Sequence, residues 1–250
     1  MMNECPTVVL VLPAYNEAGI IVESIHKAHA ICGDVFKQNW KIIIVDNGST
    51  DGSSSLVLAA SRRLSNVSLL QLPTAGKGAA LSAGWEAAVA DIYFFTDADL
   101  SADLAEALPK ALDAFVKGAT VVVGSRFLPN SIAHRSLFRQ FISRSYHLLS
   151  QLLVGTKLTD LPCGFKAVTR QARDRLLPQV KSMQWFFDSE LLLIAEATKE
   201  KIAEVPVIWE ERKVGVSVST LPIVRTSVEY TRELLLLRPR LRRLRCQIQK

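Results

Sequence analysis

The 250-residue sequence predicts an α/β domain with a mostly parallel central sheet flanked by helices. Two observations predict it. Short, continuous apolar runs alternate with stretches of ten or more residues that carry helical apolar spacing, the pattern of βαβ units. The runs are apolar throughout rather than at every second position, as in strands covered on both faces.

The elements follow in order. Val8–Leu12 is a β-branched run ending at Pro13, and residues 18–31 place Ile20, Ile21, Ile25 and Ala28 at helical spacing. Lys41–Val45 is a second strand, closed by Asp46, and Ser49-Thr50-Asp51-Gly52 supplies cap chemistry for a helix to about Leu64. Val67–Leu72, Ile92–Thr96 and Thr120–Gly124 read as further strands, separated by helices over Gly78–Val89 and Leu104–Phe115. The second half is less regular: a helix over Leu137–Leu153, a turn at Leu161–Gly164, a helix over Phe187–Lys199, a strand over Ile202–Trp209 and a helix over Leu221–Leu237. No repeat or low-complexity linker divides the chain, so one domain is expected over 1–237, followed by a basic tail over 238–250.

Composition excludes a disordered, collagen-like or disulfide-dense chain. The net charge of +6 is unevenly placed: no acid follows Glu233, whereas Arg238, Arg240, Arg242, Arg243, Arg245 and Lys250 do. Such an end suits a solvated terminus or an anionic membrane surface, and it lacks the interleaved aromatics of a nucleic-acid binder. Cys5, Cys32, Cys163 and Cys246 show no C-x-x-C spacing, and no secretory signal or run of 18 apolar residues is present. A cytoplasmic protein with reduced thiols and at most peripheral membrane contact is expected.

In open α/β sheets the ligand lies beyond the carboxyl ends of the strands, so polar residues that follow strands mark the site. Asp97-Ala98-Asp99 ends the fourth strand, where a turn brings two hard carboxylates to one Mg²⁺ or Mn²⁺. The competing assignment is a helix cap, with Asp99 or Ser101 capping Leu104–Phe115. Asp46 to Asp51 suits contacts to a base or ribose, or turn chemistry. Gly76-Lys77-Gly78 lacks Walker spacing but opens a helix, and suits either a phosphate met by a lysine and free N–H groups or a simple turn. Arg135, Arg139 and Ser143 recur every four residues, on one helical face or a solvated one, near Arg126 in sequence. His26 and His29 read as structural, and no H-E-x-x-H, G-x-S-x-G or post-strand G-x-G-x-x-G occurs.

Taken together, Pro13-Ala14-Tyr15-Asn16-Glu17, Asp46 to Asp51, Gly76-Lys77-Gly78, Asp97-Ala98-Asp99 and Gly124-Ser125-Arg126 resemble, in order and spacing, the inverting family 2 glycosyltransferases of GT-A fold. Arg135-Ser136-Leu137-Phe138-Arg139, Asp160-x-x-Cys163-Gly164-Phe165-Lys166 and Trp185-Phe186-Phe187-Asp188-x-Glu190-Leu191 are similar to the dolichyl/polyprenyl-phosphate β-glucosyltransferase branch. The resemblance implies that Pro13, Ala14, Tyr15, Glu17, Asp46 and Lys77 hold the nucleotide-sugar donor and that Asp97 and Asp99 hold Mg²⁺ or Mn²⁺. It further implies that Arg126, Arg139 and Ser143 hold a polyprenyl-phosphate acceptor, with Asp99, Arg126 and Arg139 as the catalytic set, and it puts Asp188 and Glu190 at acidic site positions. Two departures stand out: Asn47 where the family carries a second Asp, and Ser101 where mannosyl relatives carry a Gln metal ligand. The implied reaction moves glucose from UDP-glucose to the lipid phosphate. The alternatives are mannosyl transfer from GDP-mannose, a non-lipid acceptor, a nucleotidyltransferase of similar fold, or an inactive membrane-surface scaffold.

Overall fold

A computed structural model of the chain describes residues 6–210 and 223–247. The first strand, β1 (Val8–Ala14), shows how the core is built. Val8, Leu10 and Leu12 point to one face of the sheet and Val9 and Val11 to the other, and all five are buried. A strand covered on both sides must be apolar at every position, which accounts for its continuous apolar run.

Around β1 lie α1 (Ile21–Phe36), β2 (Trp40–Asn47), α2 (Ser53–Ser61), β3 (Val67–Leu72), α3 (Lys77–Glu86), β4 (Ile92–Thr96), α4 (Leu104–Val116) and β5 (Val121–Ser125). The second half adds β6 (Ile132–His134), α5 (Leu137–Val154), β7 (Phe165–Thr169), α6 (Arg170–Leu176), α7 (Phe187–Ala197), β8 (Ile202–Pro206), β9 (Ile208–Glu210) and α8 (Ile223–Gln247). The main sheet has the order β3-β2-β1-β4-β7-β5-β8. β7 runs antiparallel to both neighbours and every other pairing is parallel. On one face α1, α2 and α4 bury Ile25, Val57 and Leu108; on the other α3, α6, α7 and α8 bury Trp85, Leu176, Leu192 and Leu241. This is the three-layer α/β architecture the sequence predicts.

Three features differ from the expectations. The central strand β7 was not foreseen, because Lys166 interrupts its apolar pattern while being fully buried. The expected strand over Ile202–Trp209 is two strands: β8 pairs with β5, and β9 leaves the main sheet to pair with β6. Residues 238–247 of the basic segment continue α8, with Leu241 buried and Arg245 Nη2 donating to the Val154 carbonyl at 2.9 Å. Cys5, the first two residues of the expected Leu221–Leu237 helix, and residues 248–250 lie outside the described residues. Among the described residues no helix is long and apolar enough to cross a membrane.

The topology sets the site. The carboxyl ends of β1, β2, β4 and β5 share one edge, and antiparallel β7 begins there, so residues 160–164 arrive at the same edge. Strand order reverses between β1 and β4, the position where open α/β sheets form a ligand crevice.

Candidate active site

The loops after β1 and β2 are stitched together. Asn16 sits in the left-handed region (φ 56°), and its N–H donates to Ser49 Oγ at 2.9 Å while its own Oδ1 accepts from the Thr50 N–H at 2.8 Å. The Glu17 N–H donates to Ser53 Oγ (2.8 Å) and the Ala18 N–H to Asp51 Oδ2 (2.9 Å). These bonds absorb the Ser/Thr/Asp residues expected to cap α2, whose actual cap is Gly52, without a side-chain bond. Pro13 and Ala14 close β1 beneath this knot, and Tyr15 stands exposed above it. Asp46 is buried at the end of β2: one carboxylate oxygen accepts from the Ser54 hydroxyl, and Oδ1 has no hydrogen-bond partner among the described residues. A buried acceptor left open costs about 1–3 kcal/mol. Asn47 Oδ1 accepts from the Gly76 N–H at 2.9 Å. The amide oxygen thus fastens the loop before α3.

Asp97 follows β4, and its Oδ1 meets Lys77 Nζ at 2.7 Å. Lys77, buried at the start of α3, also reaches Asp188 Oδ2 at 3.0 Å. Burial opposes the lysine's charge, but Asp188 and Asp97 outweigh it and hold its pKa above the ordinary value. Lys166 lies beside this cluster, 3.9 Å from Asp188, and donates to the Cys163 carbonyl at 2.6 Å; burial lowers its pKa.

Leu100 takes the left-handed conformation (φ 51°), strained for a leucine, and turns the chain just after the two aspartates. Asp99 then accepts from the Ser101 N–H (3.0 Å) and hydroxyl (2.6 Å). The cap of α4 is Asp103, which accepts from the Ala105 N–H, so neither Asp99 nor Ser101 is spent as a helix cap. Burial, and then the charge of Asp97, raise the Asp99 pKa against the hydrogen bonds from Ser101. A carboxylate whose charge is opposed by burial and by a neighbouring carboxylate is what a divalent cation relieves. Among the described residues no three His, Cys, Asp or Glu side chains form a complete cage. The pair therefore fits a Mg²⁺- or Mn²⁺-type ion that takes its remaining ligands from water and a diphosphate.

Beyond β5, Arg126 is buried and grips Asp160 through Nε and Nη2, both at 2.7 Å, with its own N–H on the same carboxylate at 3.0 Å. Its guanidinium lies 4.9 Å from the Trp209 ring. Arg139 is half-buried in the first turn of α5, and Ser143 one turn on accepts from Arg135 Nη1 at 3.0 Å. Arg135 itself precedes α5, whose cap is Ser136, so it reaches Ser143 from outside the helix rather than along one helical face. The structure thus brings Asp46, Lys77, Asp97, Asp99 and Arg126 to one sheet edge and carries Arg139 and Ser143 on the neighbouring helix. Glu190 has a different setting: its carboxylate is occupied by two backbone N–H groups and Arg240. Asp160 and Lys166 were visible as motif members, but the Arg126–Asp160 and Lys166–Asp188 contacts were not, because those partners are remote in sequence.

This edge sets a carboxylate pair beside a buried lysine at the switch point of a doubly covered sheet, where open α/β sheets form a ligand crevice. The family model "Glycosyl transferase family 2" matches residues 9–177, and the chain belongs to that family. A dolichyl-phosphate beta-glucosyltransferase, ALG5C of Trichomonas vaginalis, is 33% identical over 212 residues, which is 80% of this chain and 63% of the relative. The dolichyl-phosphate beta-glucosyltransferase of Saccharomyces cerevisiae is 26% identical over 92% of this chain and 73% of its own length. The chain spans less than two thirds of the first Trichomonas relatives it matches. Among solved structures, glucosyl-3-phosphoglycerate synthase from Mycobacterium tuberculosis, in complex with Mn²⁺, UDP-glucose and phosphoglyceric acid, superposes with a TM-score of 0.63 at 19% identity over 93% of this chain and 78% of that one. The mannosyltransferase PcManGT from Pyrobaculum calidifontis, with GDP-Man and Mn²⁺, gives 0.57 at 18% identity over 97% and 74%. These likenesses bear out the GT-A fold.

Proposed function

We propose that the chain transfers glucose from UDP-glucose to a dolichyl- or polyprenyl-phosphate, with inversion at the anomeric carbon. The observation that carries the reading is the Lys77–Asp97 contact beside Asp99, a centre of the charge and hardness that a leaving diphosphate requires. The likeness to dolichyl-phosphate glucosyltransferases supports the sugar and the acceptor.

In this reading Pro13, Ala14, Tyr15, Glu17 and Asp46 line the nucleoside pocket, and Asp46 Oδ1 accepts from the base or ribose. Lys77 lies against the diphosphate, and Asp97 and Asp99 hold the cation. Bound there, the ion supplies Lewis-acid stabilisation of the departing diphosphate. Arg126, Arg139 and Ser143 receive the acceptor phosphate. A phosphate monoester has a second pKa of about 6, so at neutral pH it is mostly a dianion and needs no general base. Its oxygen attacks C1 of the sugar, the bond from C1 to the β-phosphate oxygen breaks, and UDP leaves from the opposite face. The protein aligns two anions and offsets their repulsion with arginine and lysine charge.

A lipid acceptor calls for a membrane surface. α5 exposes Phe138, Phe141, Leu148 and Leu152, and α8, which packs on it, exposes Leu235 and Leu236 beside Arg238, Arg242 and Arg243. Apolar side chains flanked by arginines suit the headgroup boundary of an anionic bilayer, with the enzyme peripheral on its cytoplasmic face.

The test is transfer of radiolabelled sugar from UDP-glucose, GDP-mannose and UDP-N-acetylglucosamine to polyprenyl phosphate, with Mn²⁺ or Mg²⁺ and with chelator. Chelator-sensitive label in the organic phase from UDP-glucose is expected. Label from GDP-mannose instead would assign the mannosyl alternative, and label only in a water-soluble phosphate ester would move the acceptor to a non-lipid one.

A further inference from the structure

The segment 181–185 covers the first turn of α3, and α8 grips it near both ends. At its start, the buried Glu190 accepts from the N–H groups of Lys181 (3.0 Å) and Ser182 (2.7 Å) through Oε2, and from Arg240 Nη1 of α8 through Oε1 at 2.6 Å. At its end, the Tyr230 hydroxyl of α8 donates to the Trp185 carbonyl at 2.9 Å. Between these anchors the segment rests directly on α3. The Met183 carbonyl accepts from the Ala79 N–H at 3.1 Å, and Gln184 Nε2 donates to the Ala75 carbonyl at 3.3 Å. The fit allows no side chain at two positions: a Cβ on Gly76 would lie 2.7 Å from the Met183 carbonyl oxygen, and one on Gly78 would lie 2.6 Å from that of Ser182. Between those glycines is Lys77, whose Nζ stands 5.2 Å from the Trp185 ring centroid, a cation–π distance, and 2.7 Å from Asp97.

We infer that α8 is a positioning element for the diphosphate centre: Arg240, through Glu190, and Tyr230, through Trp185, fix the segment that seats Lys77 on Asp97. The inference rests on the reading of Lys77 and Asp97 as the donor centre and goes beyond it, since neither Arg240 nor Tyr230 touches the donor in that reading. A strong ion pair at a buried carboxylate is ordinarily no more than a packing device, so the test must separate position from stability.

Full-length Arg240→Ala, Arg240→Lys and Tyr230→Phe proteins, with Arg232→Ala on the exposed face of α8 as control, are compared for UDP affinity by calorimetry with Mn²⁺ present, for donor and acceptor KM, and for melting temperature. Arg240→Ala is expected to weaken UDP binding and raise donor KM by about three- to tenfold, with acceptor KM unchanged. Arg240→Lys should recover most of that loss, Tyr230→Phe should show a smaller loss of the same kind, and Arg232→Ala should match the wild type. UDP binding as tight as wild type in both Arg240→Ala and Tyr230→Phe, even with a lowered melting temperature, would overturn the inference and leave α8 a packing element. Should Arg240→Ala fail to fold, Tyr230→Phe decides alone. A wild-type protein that binds no UDP would instead defeat the functional reading, a separate outcome.

Discussion

Gly164 is a glycine because the Asp97 carboxylate occupies the space of a side chain: a Cβ there would lie 1.9 Å from Asp97 Oδ2. The same glycine accepts the Asp97 N–H at 3.3 Å through its carbonyl, so it sets the carboxylate from two directions. Gly164→Ala should therefore push Asp97 off Lys77, costing about 1–3 kcal/mol of stability and a larger share of donor binding. Parallel urea unfolding and UDP titration measure the two losses. The partner residue gives a cleaner test of chemistry. Among the described residues Asp99 hydrogen-bonds to Ser101, two positions on, so Asp99→Ala removes a carboxylate without opening a contact remote in sequence. Transfer should fall by at least about a hundredfold, the scale of a lost charge-stabilising group, with the melting temperature little changed. A wild-type rate would remove the cation role from Asp99.

At the scale of elements, the ends of β5 and β7 are held by the Arg126–Asp160 pair, with side chains 5% and 0% exposed. Asp160→Ala leaves a buried guanidinium without its carboxylate and should cost about 3–5 kcal/mol, read as a shift of the urea midpoint; Asp160→Asn, which keeps an acceptor, should cost less. The opposite edge of the sheet carries a pH-dependent tie. Asp91, just before β4, accepts from the Thr7 N–H (2.9 Å) and hydroxyl (2.8 Å) and from Arg170 Nη2 (3.3 Å). The Thr7 amide first, with the Thr7 hydroxyl and Arg170, holds its carboxyl below the ordinary range against the effect of burial. A depressed carboxylate stabilises above its unfolded pKa of about 3.9, and that contribution is lost as pH falls through the folded value. Asp91→Asn should therefore be less stable than wild type at neutral pH by roughly 0.5–1.5 kcal/mol, with the gap closing below that window in melts run across the acid range.

The elements also show where sequence ceases to be informative. β1, β2 and β4 were legible because strands buried on both faces leave unbroken apolar runs ending in turn residues. β7 was not, since a buried lysine satisfied by the Cys163 carbonyl and Asp188 reads locally as a surface residue. The split between β8 and β9 depends on pairing with β6, which no local pattern encodes. Within the site, Asp46, Lys77, Asp97 and Asp99 could be named from their places after strands. The contacts Lys77–Asp188 and Arg126–Asp160 could not, as they join residues brought together only by the fold.

For the whole molecule, one end of the sheet carries the proposed diphosphate centre, and the paired helices α5 and α8 carry exposed apolar and arginine side chains. If that pair meets the bilayer, Leu235→Glu combined with Leu236→Glu should reduce co-sedimentation with anionic vesicles by at least about tenfold, while UDP binding in solution stays at the wild-type value. Unchanged vesicle binding would place the lipid contact elsewhere. The proposed reaction is one direct displacement at C1 by an acceptor phosphate. Its most direct test is the anomeric configuration of the isolated product, read by NMR after incubation of the protein with UDP-α-glucose, Mn²⁺ and a short-chain polyprenyl phosphate. A β-glucosyl phosphate, formed in a single inversion and absent when chelator is added, is expected. An α-linked product would contradict direct displacement, since net retention at C1 requires a second displacement or attack from the face of the leaving group.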